Sequence, residues 1–136
     1  MHVYRIENAE GCGPWHAGSG RDAYNKNHRC RDDSHSCSEP PGPFSEYGTP
    51  LKAHFDATDG AGYLFGFKSR AQLKRWFRSM AGRRAMAKAG FRLSLYEVPA
   101  SKVVAGKWQV AFDRKAAALR GTMDVATLQS TPRRAA

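Results

Sequence analysis

Eight basic side chains and no acidic one fall between Lys68 and Lys88: Lys68, Arg70, Lys74, Arg75, Arg78, Arg83, Arg84 and Lys88. Side chains of this kind do one thing well, which is to neutralise phosphate or carboxylate. Against a nucleic-acid backbone they act mainly by releasing counterions, and they read little sequence. Arg70, Lys74 and Arg78 recur at i, i+4 and i+8, one face of a helix. A solvated surface is the simpler reading of a charged helix, but such faces mix signs in i,i+4 pairs, which are absent here. The expected partner is anionic: a nucleic acid, a ribonucleoprotein or an acidic protein face.

A second set could form a site. In "VYRIE", Arg5 and Glu7 alternate onto one face of a strand, where they make either a surface ion pair or two walls of a cleft. His35, in the long segment that follows, reads as a loop anchor or a site residue facing that first strand. Tyr96 and Glu97, near the end of a later strand, have a structural reading first. His28, Cys30, His35 and Cys37 are zinc-type ligands, but C-x6-C and H-x6-H lack the paired C-x2-C of a structural zinc site, so no metal is assigned. No P-loop, G-x-S-x-G, H-E-x-x-H or Rossmann fingerprint is present.

The elements that must carry these residues read as follows. Residues 3–7 form a strand. Residues 8–62 are rich in Gly, Pro, Ser, His and Asp without sustained apolar period, and read as one long loop pinned by isolated aromatics. Tyr63–Phe67 is a strand. Ser69 and Gln72 have capping-box spacing, and Leu73, Trp76, Phe77 and Met80 then fall on one apolar helical face. Gly82 is expected to interrupt the helix and Gly90 to end it. Alternation predicts strands over 91–98 and 107–112, joined closely enough to pair antiparallel, and a short helix over 114–120. Trp76 and Phe77 should pack on Phe91, Leu93, Val110 and Phe112. The fold class is α+β: a small, mostly antiparallel sheet with one main amphipathic helix packed on it and a long N-terminal loop region. One domain covers 1–128, with 129–136 a disordered tail.

The totals agree with a single small domain: 136 residues, 41% hydrophobic, and 22 Lys+Arg against 12 Asp+Glu, a net charge of +10. Three cysteines, Cys12, Cys30 and Cys37, argue against a complete disulfide framework. The start does not read as a signal peptide, and no apolar run is long enough to span a membrane. The expectation is a cytoplasmic protein with no membrane contact.

"VYRIE" followed by "GP", then "FGFKSRAQLKRWF", "AGF" leading into "YEV", and "GKWQVAF" together resemble a group of small uncharacterised phage and prophage accessory proteins. The resemblance covers about two-thirds of the chain. It implies a role inside the host cell in host takeover or defence evasion, and no known reaction. The layout also resembles, more loosely, ADP-ribosyltransferase-like domains. That resemblance implies an enzyme using NAD, with Arg5 on the NAD phosphate, Tyr63 stacked on nicotinamide, and Glu97 or Gln109 near the ribose. The sequence departs from that pattern in lacking S-T-S and E-x-E segments. Outside that reading no cofactor is expected.

Overall fold

The computed structural model describes residues 1–14, 23–24 and 42–129. Among the described residues six strands form two three-stranded antiparallel sheets. In the first, β1 (His2–Glu7) and β6 (Ala118–Met123) flank β3 (Arg92–Glu97); in the second, β2 (Tyr63–Gly66) and β4 (Val103–Ala105) flank β5 (Val110–Asp113). The described α-helices are α1 (Pro50–Thr58), α2 (Arg70–Trp76) and α3 (Met80–Lys88). This is an α+β fold.

Among the described residues one isolated bridge joins the backbones of the two sheets. Tyr4 and Phe67 exchange backbone hydrogen bonds of 2.8 and 2.7 Å, and β1 and β2 then diverge. Gly66 makes the approach possible, because a Cβ there would lie 2.5 Å from a Val3 methyl and 2.9 Å from the Tyr4 carbonyl oxygen. Strand alternation then sorts the core. Ile6 and Leu93 point to the face covered by α2 and α3, where they join Phe67, Leu73, Phe77, Met86 and Phe91. Val3 and Tyr96 point the other way, toward Val110 and Phe112 of β5. Ala111, on the outer side of β5, packs on Leu51 and Phe55 of α1. Both faces of β1 are therefore buried, and its polar residues go inside with the apolar ones.

Local signals explain the helices. Ser69 accepts from the Gln72 N–H at 3.0 Å, and the Gln72 side chain accepts from the Lys68 N–H at 2.8 Å. The capping-box pair thus forms, with the return bond one residue earlier than the usual arrangement. Ser79 caps α3 through the Gly82 N–H at 3.1 Å. Gly90, at φ +96°, follows the end of α3 as a left-handed stop.

Several expectations need correcting. The 8–62 segment is not all loop: Thr49 caps α1, Pro50 takes its first position, and Leu51 and Phe55 form its buried face. The helix expected from Ser69 onward stops at Trp76, so Met80 starts a new helix and is 47% exposed. Gly82 does not interrupt α3; it leaves room for Tyr24, whose ring a Cβ would meet at 2.5 Å. Strands 91–98 and 107–112 do not pair, because β1 and β6 occupy both edges of β3 and β5 takes its own hairpin partner, β4. Of the helix expected over 114–120 only a single 3-10 turn at Arg114–Ala116 forms, and Ala118–Met123 is strand β6. Trp76 is half-buried and packs with Phe67 and Phe77, while Val110 and Phe112 lie in the separate cluster between the sheets. The tail from residue 130 on lies outside the described residues.

Candidate functional site

Two groups of polar residues stand out, one inside the fold and one on its surface. The inner group is built on β1. Antiparallel register sets Arg5 opposite Ser94 and Val3 opposite Tyr96, so their side chains share a face with Glu7. The Arg5 Nε donates to Glu7 Oε2 at 3.0 Å. Glu7 Oε1 accepts from the Ser94 hydroxyl at 2.7 Å and from the Tyr96 hydroxyl at 2.6 Å. Arg5 also donates to the Phe65 carbonyl at 2.8 Å and to the Gly11 carbonyl at 3.2 Å. Its guanidinium thereby spans the corner where β1 parts from β2, where the strand ladder has stopped. Residues 8–13 close over it: Asn8 Oδ1 accepts from the Glu10 and Cys12 N–H groups, each at 3.0 Å, and Gly13 lies against the guanidinium. Arg5 is 7% exposed and Glu7 2%. The pair is therefore an internal tie between sheets, not a surface ion pair.

The same network acts on Tyr96. Burial, then its hydrogen bond to Glu7 and that carboxylate's charge, push its phenol up to about 12 from 10.0. Below pH 10 the phenol is protonated in folded and unfolded chains alike. Above that the unfolded chain ionises first, so this contribution to stability is lost as pH rises from about 10 through about 12. In melting curves taken across that window, the Tyr96→Phe variant should lose stability less steeply than the parent. Parallel slopes would mean that the phenol ionises alike in both states.

The other candidates for chemistry do not gather at this network. Glu97 pairs with His2 at the far end of β3, three residues from Ser94, or about 10 Å along the strand. It is exposed, and its hydrogen bond from Arg120, 2.7 Å long, holds its carboxyl below the usual range. That contact belongs to an irregularity in the β3–β6 pairing, which skips Arg120. Tyr63 and Gln109 sit toward opposite ends of the β2–β5 pair. Tyr63 lies against His54 with the rings tilted by 46° and their centres 4.2 Å apart, and Gln109 is buried at the foot of the β4–β5 turn, where its carbonyl accepts from the Gly106 N–H. His35, with His28, Cys30 and Cys37, lies outside the described residues. Among the described residues no cluster has the make-up of a metal site.

The surface group is the basic one. Lys68, Arg70, Lys74, Arg75, Arg78, Arg84 and Lys88 are all exposed. From Gly60 through Tyr96 the chain contains no carboxylate at all. Arg83 is the correction: it is 4% exposed and faces inward. It donates to the carbonyls of Phe77 (2.7 Å), Arg78 (3.2 Å) and Ala126 (3.3 Å from Nε), and desolvation lowers its pKa. Those carbonyls end α2 and the chain after β6, so Arg83 satisfies backbone acceptors that the helix break leaves open. Arg78 follows the end of α2 and does not continue its face, so the exposed cations are spread over α2, α3 and the residues beside them and do not form one straight stripe; among them Arg70 lies over the Tyr4 ring, 5.9 Å from its centre.

One part of the patch gave no sequence signal, because its members are far apart in the chain. Arg75 lies over the Trp108 ring, 4.6 Å from its centre. Trp108 is held at the β4–β5 turn from two sides. Its backbone N–H donates to Glu46 Oε1 at 2.8 Å, and the neighbouring Lys107 carbonyl accepts from Gln72 Nε2 at 3.3 Å. Ser94 and Tyr96, as partners of Glu7, were readable only in part: alternation placed them on one face of their strand, but not beside β1.

Comparison with known proteins adds a lineage. The model of the bacteriophage T4 Y00F protein family matches residues 1–126. A protein of Enterobacteria phage T4, described as "Uncharacterized 19.7 kDa protein in motB-dexA intergenic region", is 39% identical over 59 residues, covering 43% of this chain. The matched stretch spans only 35% of that relative's length. No solved structure matches. Neither matched description names an ADP-ribosyltransferase.

Proposed function

The chain belongs to the bacteriophage T4 Y00F protein family, and from that premise we propose that it is a phage accessory protein that grips a nucleic acid, free or in a ribonucleoprotein of the host. Its role would be host takeover or defence evasion by occupying that partner. The observation that carries this reading is the set of seven exposed cations, Lys68 just ahead of α2 and six more on α2, α3 and their link, in a stretch without one carboxylate to offset them. Surfaces kept charged only for solubility mix signs. A patch of one sign concentrates field and draws a polyanion. Three of its members are arginines on or beside α2, and arginine suits phosphate geometry through its planar fork. No helix among the described residues is long and apolar enough to cross a membrane.

The test is a fluorescence anisotropy titration of mixed-sequence DNA and RNA at several salt concentrations. Affinity should fall steeply with salt, with a log–log slope of roughly −3 to −5 for about four to six phosphate contacts on duplex DNA. The double variant Lys74→Glu/Arg84→Glu should weaken binding strongly. Its melting temperature should barely move, because exposed charges contribute little to stability. Sequence preference should be slight. An absence of binding to any nucleic acid at low salt would overturn the proposal and leave an acidic protein surface as the partner to seek.

A further inference from the structure

The patch contains a feature that phosphate binding alone does not need. Cations that only meet a backbone work best free in solvent, on long stems. Arg75 is instead laid over the Trp108 indole, and the backbone that carries this indole is held on both sides. The Glu46 carboxylate accepts from the Trp108 backbone N–H and the Gln72 side chain donates to the Lys107 carbonyl, so both sides of the turn are tied to elements outside the hairpin. The Gln72 amide also accepts from the Lys68 N–H, which sets Lys68 and Lys107 on either side of one side chain. Lys68, Arg75 and Lys107 are exposed and Trp108 is half-buried. An aromatic–guanidinium contact thus lies beside two further exposed lysines, Lys68 and Lys107, whose backbones both meet Gln72.

We infer that the nucleic acid bound here is single-stranded, and that one unpaired base stacks on the Arg75–Trp108 pair while Lys68, Lys74 and Lys107 meet the flanking phosphates. This rests on the reading of the basic face given above and names its ligand more closely. The argument is one of access. In a duplex the base faces are covered by their neighbours, and a protein platform cannot reach them without unstacking. In a single strand they are open, and proteins take them on aromatic rings or on arginine planes while cations follow the backbone. Here both surfaces exist as one unit, and the guanidinium already lies against the ring. Its outer side is the place for a base, which would complete a Trp–Arg–base stack. Preorganisation lowers the ordering cost on binding. Every base has a stacking face, so the preference is for strandedness rather than sequence.

The test measures binding of a mixed-sequence single strand, as DNA and as RNA, beside the matching DNA duplex, for the full chain and its variants at one low salt concentration. The parent should favour the single strands. In Trp108→Ala the ratio of single-strand to duplex affinity should fall roughly tenfold. Trp108→Phe, which keeps a ring, should restore most of that ratio. Arg75→Lys, which keeps the charge but not the plane, should lower the ratio in the same direction. Thermal melting separates stability from binding, since a merely structural Trp108 would shift the melting temperature and leave the ratio unchanged. A parent that favours duplex, or a ratio that Trp108→Ala and Arg75→Lys both leave unchanged, would overturn this inference while leaving the basic face as a nucleic-acid surface. Failure of any strand to bind at low salt would overturn both.

Discussion

Replacing Glu7 by alanine should destabilise the protein by about 3–5 kcal/mol, the usual cost of removing one partner from a buried charge pair. The loss is large because of what remains. Arg5 would keep its charge inside the fold, still bound to the Phe65 and Gly11 carbonyls but without its carboxylate. The Ser94 and Tyr96 hydroxyls would lose their acceptor in the same step. For a domain of this size the melting temperature should drop by about 10–15 °C. The double variant Arg5→Met/Glu7→Leu should recover only part of the loss: it removes the unpaired buried charge, but it leaves the Ser94 and Tyr96 hydroxyls and the Phe65 and Gly11 carbonyls without their partners. Chemical denaturation of the three proteins measures both claims. If Glu7→Ala unfolds with the parent's midpoint, the pair is not a tie between the sheets, and a role in chemistry becomes the better account of two buried charges.

Arg83 and Arg84 are adjacent in sequence and should behave as opposites. Arg83→Met should destabilise by about 3 kcal/mol, because it removes charge-assisted hydrogen bonds to three carbonyls at a helix break. Arg84→Met should change stability by less than about 0.5 kcal/mol, as exposed positions usually do, and should weaken nucleic-acid binding instead. Denaturation midpoints and anisotropy titrations on the same two proteins provide the comparison. Equal destabilisation by both substitutions would mean that Arg83 is not the anchor its contacts describe.

Much of the local structure was legible in the residues. Alternation in "VYRIE" and "FRLSLYE" is enough for β1 and β3, including which side chains share a face. Ser69 and Gln72 mark the start of α2, and Gly90 marks the end of α3, because caps and left-handed stops depend on neighbours a few residues away. The concentration of cations between Lys68 and Lys88 is a fact of composition, and it survives folding as an exposed patch. Helix α1 was legible too, in a Thr49–Pro50 start followed by Leu51 and Phe55, but the surrounding glycine and proline obscured it.

Most strands, the caps of α2 and α3, the α+β class and the excess of basic side chains thus follow from residues close together in the chain. Which segments became neighbours follows from long-range packing. Strands 91–98 and 107–112 are close in the chain, yet they lie in different sheets, because pairing is settled by which edges are already filled. Arg5 and Glu7 became an internal tie rather than a surface pair because the second sheet covers that face of β1. Arg83 left the patch because α2 stops early and exposes carbonyls that only a nearby cation could reach. Trp108 came under Arg75 because Glu46 and Gln72 hold its turn there. Apart from the Arg83 bonds to the nearby Phe77 and Arg78 carbonyls, these depend on groups tens of residues apart, whose meeting is fixed by the balance of burial and hydrogen bonding over the whole fold, and periodicity and capping carry no record of it.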